Sequence, residues 1–219
     1  MDIQKARSPN YWFGNYGRIA IVDHITAGLM TGCLSWMTDP KSKASAHYLV
    51  TRAGEIYNLV DELNSAWHAG DVKKPSWSFY DGTNPNWLTI GIEHEGWPNE
   101  PLTEAQYQAT LWLHRQLIAR WGVPIDNDHI IGHYRINSVD RANCPGPAFP
   151  WQRLFADLKG EGTMPEGATP TKITIGDKVF DGYLYRGISY LLNPPVRDLV
   201  DAFNRKIKWD EIAHTVEVK

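Results

Sequence analysis

The stretch Arg18-Ile19-Ala20-Ile21-Val22-Asp23-His24 is an apolar run that stops on an acid and a histidine, with Thr26-Ala27-Gly28 behind it. It reads as a buried strand that leaves His24 at its end, where a loop begins. His129-Ile130-Ile131-Gly132-His133 repeats the pattern, and Leu88-Thr89-Ile90-Gly91-Ile92-Glu93 is a third strand ending in a titratable residue. Ala46 to Thr51 and Glu55 to Val60 are β-rich runs on either side of Arg52-Ala53-Gly54, the pattern of a hairpin with a glycine turn. These strands are expected to share one sheet. Between them, Thr103-Glu104-Ala105-Gln106 is a capping-box pattern, and Tyr107, Leu111, Ile118 and Trp121 follow at near-helical spacing until Gly122 and Pro124. Trp151 to Leu158 reads as a brief closing helix. The fold class is α/β.

The chain has 219 residues, 42% of them hydrophobic and 21% charged, with a net charge of −3. That length suits one medium domain and a small second one, and the composition excludes disordered and fibrous classes. A mildly acidic balance without a basic block argues against nucleic acid as a partner. No apolar run is long enough for a transmembrane helix, so stable membrane insertion is not expected. Met1 to Arg7 is polar and lacks the apolar core of a signal peptide, which implies synthesis in a cytoplasm. Cys33 and Cys144 are too few for a disulfide framework, and a reducing birthplace disfavours their pairing.

From residue 160 to 172 glycine and proline are scattered and almost nothing large is available to bury, so this stretch is read as a linker between domains 1–159 and 173–219. Beyond it Ile173 to Ile175, the Gly176-Asp177 turn, Val179-Phe180, Tyr183 to Leu192, a helical stretch Val196 to Phe203, Ile207 to Trp209 and Thr215 to Val218 suggest a small α+β unit. So short a unit is marginal alone and is expected to lean on the first domain or on self-association.

Two strand-end histidines, His24 and His133, with the thiol of Cys144 shortly after the second, form a three-ligand zinc candidate. Zinc accepts imidazole nitrogen and thiolate sulfur, and a catalytic site uses three protein ligands and leaves a fourth position open. Alone, a histidine at a strand end is more often structural, and a lone cysteine more often a small buried hydrophobe. The surrounding strings alter that balance: Ile19 to His24; Ser45-Ala46-His47-Tyr48-Leu49-Val50; Ala66-Trp67-His68-Ala69-Gly70; Thr89-Ile90-Gly91-Ile92-Glu93; and Gly132-His133 with Arg141-Ala142-Asn143-Cys144-Pro145-Gly146-Pro147.

In this order the strings resemble the type 2 N-acetylmuramoyl-L-alanine amidases over roughly residues 15 to 157. The resemblance implies a mixed central β-sheet flanked by helices, a Zn2+ ion on one face, and hydrolysis of the amide between N-acetylmuramic acid and L-alanine in bacterial peptidoglycan. It implies metal ligands at His24, His133 and Cys144, and a catalytic base at Glu93. Glu95, two positions on, is an alternative base on the same strand face. Arg141 stands near the position of a family lysine that stabilises the transition state; that lysine's own position holds Ala142. Ala46 occupies a position where some phage members carry tyrosine. His68 and Trp67 fall beside the cleft as substrate contacts, and Trp87, with Trp77 and Trp97, lies in loops where a ring either meets sugar or stem peptide or packs into the core, the two readings standing level. His47 is expected to be an internally bonded sheet residue, and Cys33 a helix residue facing the core.

The last segment resembles the copper amine oxidase N-terminal-like, or stalk, module through Ile173-Thr174-Ile175, Pro195 to Leu199, Lys208-Trp209-Asp210 and Thr215 to Val218. Copper itself is not expected, since after residue 160 the only such ligand type is His214. Wall binding and homodimerisation are both open to it. The preferred setting is a phage endolysin that acts on the wall after release; a host autolysin and a peptidoglycan-binding module without catalysis are the alternatives.

Overall fold

The computed structural model describes residues 1–160, 169–175, 178–185, 188–191, 207–210 and 215–218. The chain divides into two compact units, Met1–Phe155 and Ala156–Lys219. The first is built on β1 (Ile3–Lys5), β2 (Tyr11–Trp12), β3 (Ala20–Ile25), α1 (Met30–Thr38), β4 (Tyr48–Val50), β5 (Ile56–Asn58), β6 (Ser65–Ala66), β7 (Thr89–His94), α2 (Glu104–Trp121) and β8 (Ile130–Gly132). A last helix, α3 (Trp151–Lys159), runs through the division.

Six strands form one sheet in the order β1-β5-β4-β7-β3-β8. All pairs are parallel except the β4–β5 hairpin, so the sheet is mixed, as the family resemblance implied. All six residues of β3 are buried, which follows from its place between β7 and β8 with both faces covered. Its register pairs His24 with Glu93 and Asp23 with Ile92, and β8 sets Gly132 beside Asp23. The carboxyl ends of β3, β7 and β8 therefore deliver His24, Glu93 and His133 to one edge, where open parallel sheets bind their ligands. β1 was not anticipated: three exposed residues pair with β5 at the sheet edge, and no apolar pattern announces them.

Helix α2 begins as its sequence requires. The Thr103 hydroxyl accepts from Gln106 N, and Gly122 closes the helix in the left-handed region at φ 67°. The capping box is only half used, because the Gln106 side chain donates to Val50 O and Glu95 O and so ties the helix to the sheet edge. Tyr107, Leu113, His114 and Leu117 are buried. Truncating the fully buried Leu117 to alanine removes about 2–5 kcal/mol. α1 carries no charge and no side-chain cap; the Glu95 carboxylate accepts from Met30 N instead and sets an anion at the positive helix end. Cys33 lies in α1, half-buried against the cluster of Met37, Ala46, Leu49 and Leu59.

In the second unit β9 (Thr169–Ile175), β10 (Lys178–Tyr185) and β11 (Ile188–Leu191) form an antiparallel sheet with β10 central, and β12 (Ile207–Asp210) pairs with β13 (Thr215–Val218). This corrects the linker reading of 160–172, since Thr169 to Lys172 are already strand. Pro170 is tolerated because β9 is an edge of that sheet. The run Tyr183 to Leu192, read as one segment, divides between β10 and β11. The Gly176-Asp177 turn, the Val196 to Phe203 helix and His214 lie outside the described residues.

Candidate metal centre and cleft

His24 Nδ1, His133 Nδ1 and Cys144 Sγ all lie within 4.8 Å of one another, and among the described residues this is the one group of its kind. The two Nδ1 atoms are 2.9 Å apart, and the sulfur is 3.9 Å from His24 Nδ1. Local bonds aim each donor inward. His133 opens the turn after β8 and its Nε2–H donates to Ala69 O at 2.8 Å, which leaves Nδ1 with its lone pair. His24 Nε2 meets His68 Nδ1 at 3.0 Å. Ile25 N–H donates to Cys144 Sγ at 3.4 Å, and Tyr134 N–H holds Cys144 O at 3.1 Å.

Electrostatics favour neutral imidazoles here. Burial, then the neighbouring His133, His68 and His94, holds His24 well below the usual imidazole range. Burial likewise brings His133 down to about 4, against the help of Ala69 O. Burial, then Glu93, pushes the Cys144 thiol up to about 12. Two imidazole lone pairs and a sulfur converging at these separations, with nothing but like-signed dipoles between them, are what a divalent cation stabilises. The donor set of two nitrogens and one sulfur suits zinc.

The centre lies in a cleft of about 680 Å³ lined by His24, His68, Glu93, His133, Arg141 and Cys144, with α1 residues Gly32, Cys33 and Trp36 along one wall. Glu93 is half-buried, and its Oε2 has no hydrogen-bond partner. Burial raises its carboxyl to about 8, with Arg141 pulling the other way. Arg141 is exposed on the cleft wall, and its guanidinium makes no hydrogen bond among the described residues. Its positive charge is nonetheless felt at His24, His133, Glu93 and Cys144.

Several expectations change. Glu95, the alternative base, is committed to structure: its two carboxylate oxygens accept from Met30 N and Arg52 N. Trp87 is already stacked with Trp12 at 5.2 Å and Tyr16 at 5.0 Å, and it is not among the residues lining the cleft. Trp77 takes the core-packing alternative, 3% exposed, with its indole N–H on Asp128 O. Trp67 does line the cleft, and its Nε1 lacks a partner. His68 also lines it, yet both ring nitrogens are engaged within the protein, Nδ1 with His24 and Nε2 with Thr89. His47 is the buried sheet residue expected; Gly91 N–H donates to its Nδ1, and burial brings it down to about 3.

Sequence reasoning missed Arg18, Asp23, Thr89, His94 and His114. Arg18 is buried and donates to the carbonyls of Glu62, Asn86 and Thr89, fastening the loops under the cleft. Thr89 shares a strand face with Gly91 and Glu93, so the alternation of β7 was the available signal.

A sheet edge presenting two imidazoles, a thiol and an unpaired carboxyl in one cleft defines a candidate metal-dependent hydrolase. Residues 17–147 match the family described as N-acetylmuramoyl-L-alanine amidase, and the chain belongs to it and is such an enzyme. The chain is 29% identical over 179 residues to N-acetylmuramoyl-L-alanine amidase A of Achromobacter lyticus, covering 73% of this chain and 94% of that protein. It is 33% identical over 166 residues to AmiD of Escherichia coli, covering 69% of this chain and 56% of that longer protein. The solved complex of Escherichia coli AmiD with anhydro-N-acetylmuramic acid-L-Ala-D-gamma-Glu-L-Lys superposes with a TM-score of 0.54 at 30% identity, over 72% of this chain and 66% of that one. A crystal structure of AmpD gives a TM-score of 0.60 at 27% identity, over 74% of this chain and 94% of that one. Among the described residues no helix is long and apolar enough to cross a membrane.

Proposed function

We propose that this chain hydrolyses the amide joining N-acetylmuramic acid to L-alanine in peptidoglycan, using zinc held by His24, His133 and Cys144. The convergence of those three donors within 4.8 Å carries the reading. Bound there, the metal supplies Lewis-acid chemistry, acidifying water and polarising the scissile carbonyl. Glu93 takes the proton of the attacking water and returns it to the departing alanine amine. Its unpartnered Oε2 in the cleft that holds the three donors is free to take part in both transfers. Arg141, with free N–H donors on the cleft wall, stabilises the developing oxyanion; one such donor contributes about 2.7–4 kcal/mol in comparable sites. Trp67 packs along the bound muramyl peptide.

The setting we favour is wall lysis by an endolysin, in which residues 173–219 serve attachment to the wall or self-association. The test incubates the protein with bacterial cell walls, with and without a chelator. New alanine amino termini that disappear on chelation and return with zinc are expected. New reducing sugar ends, or amine release indifferent to chelation, would overturn the reading. Clearing of whole bacteria, and co-sedimentation of the full chain with walls, address the setting.

A further inference from the structure

The bonds behind His24 run in one direction. Thr89 Oγ1 lies 2.7 Å from Pro85 O, a carbonyl that can only accept, so the single hydroxyl proton of Thr89 points there. The same oxygen lies 3.1 Å from His68 Nε2, and with its proton spent it can only accept, so Nε2 carries the His68 ring proton. His68 Nδ1 is then a bare lone pair 3.0 Å from His24 Nε2 and accepts from it. His24 is left with its proton on Nε2 and an unprotonated Nδ1 facing His133 and Cys144. Reversed, the series would give up the 2.7 Å Thr89 bond to Pro85 O, leaving that carbonyl only Leu88 N–H at 3.0 Å, and would put the His24 proton on the nitrogen that must hold the metal.

We infer that Thr89 and His68 are positioning residues that set the tautomer of His24 and thereby prepare its Nδ1 as a metal ligand. The two imidazole ligands thus reach the same state by different means. His133 is set by a backbone carbonyl at first hand; His24 is set by a carbonyl acting through two side chains. Burial protects the series, since Thr89 is fully buried and His68 is 7% exposed, so water does not compete for these bonds. Space for it is made by Gly91, where a Cβ would lie 2.4 Å from the His68 ring. Asn86 Oδ1 accepts from His68 N at 3.1 Å and from Ala69 N at 2.8 Å, which fixes the turn that presents the ring. This explains two positions of the Thr89 to Glu93 string that the reaction itself does not use: Thr89 holds the series and Gly91 accommodates it.

The inference rests on the metal reading of the site, but its primary measurement does not need metal or substrate. Long-range 1H–15N spectra of the histidine rings in the metal-free full chain report each tautomer directly. The expected result is Nε2–H for His24, His68 and His133. A parent protein with His24 protonated on Nδ1 overturns the proposal without any variant, and leaves the amidase reading to its own assay. In Thr89→Val, His24 is expected to become a mixture of tautomers and zinc affinity, measured by chelator competition, to fall about 10- to 100-fold. Thr89→Ser keeps the hydroxyl and is expected to restore both. A folded Thr89→Val protein with the parental tautomer, or with parental zinc affinity, overturns it; if Thr89→Val does not fold, the same two readings on Thr89→Ser and on the parent decide.

Discussion

Strands β3 and β7 carry histidines and acids on both faces, and the two faces use them differently. On the cleft face, His24, His68 and His133 gather around a thiol with no carboxylate hydrogen-bonded to any of them, and all three are held neutral by burial. On the opposite face, fully buried Asp23 sits between His94 and His114. His114 Nε2–H donates to Asp23 at 3.2 Å and its Nδ1–H to Thr110 O at 2.9 Å. Burial alone would depress His114, but Asp23 and Thr110 outweigh it and raise its pKa. His94 donates Nδ1–H to His24 O, its Nε2 stays 3.8 Å from Asp23, and burial wins, lowering it. The raised imidazole is the one that hydrogen-bonds to Asp23. The comparison shows that imidazoles become lone-pair donors where the fold withholds an acid, and that the acid next to His24 in sequence is turned away by the alternation of the strand.

The largest effect should follow from breaking the cleft face. Cys144→Ala is expected to lose the metal and to lower alanine release from walls by on the order of 10⁴, whereas thermal unfolding of the metal-free protein stays close to the parent. Unchanged zinc stoichiometry would remove Cys144 from the centre. Glu93→Gln is expected to keep zinc and lose about 10³ in rate, since the proton carrier goes and the ligands remain. Full activity in that variant removes Glu93 from the mechanism.

The back face should answer in stability and leave chemistry largely alone. Asp23→Asn removes the acid that faces the buried His114 Nε2–H and is expected to destabilise the fold by about 3 kcal/mol in denaturant titrations, with parental metal content at low temperature. The smallest effect is the pH dependence of that pair. Because His114 is raised in the folded state, its contribution is complete below its ordinary value near 6.5 and is lost as pH rises through the raised one. The slope is at most about 1.4 kcal/mol per pH unit. Denaturant midpoints from pH 6 to 9 should therefore fall less steeply in His114→Gln than in the parent. An equal slope in both would mean that Asp23 and His114 are not a pair.

Much of this was legible in the chain. The buried runs ending at His24 and His133 foretell β3 and β8, whose carboxyl ends bring those two imidazoles together, and the cap at Thr103 foretells the start of α2. What was hidden depends on partners distant in sequence. Trp87 reads as a ring on a loop until Trp12 and Tyr16 cover it, and Glu95 reads as a second base until two backbone amides claim it. The polarity of the Thr89 hydroxyl exists only through Pro85 O. β9 was masked by a proline that only an edge strand tolerates.

The aromatic stack has an optical consequence. Trp12 and Trp87 lie with ring planes 12° apart at 5.2 Å, and Trp12 also touches Trp67, which lines the cleft. Indoles this close couple their electronic transitions, so the ultraviolet dichroism is expected to show an exciton contribution that Trp12→Phe removes. Because Trp12 also meets Trp67 on the wall of the cleft, a change in that contribution on adding a muramyl peptide is the expected sign of occupancy there.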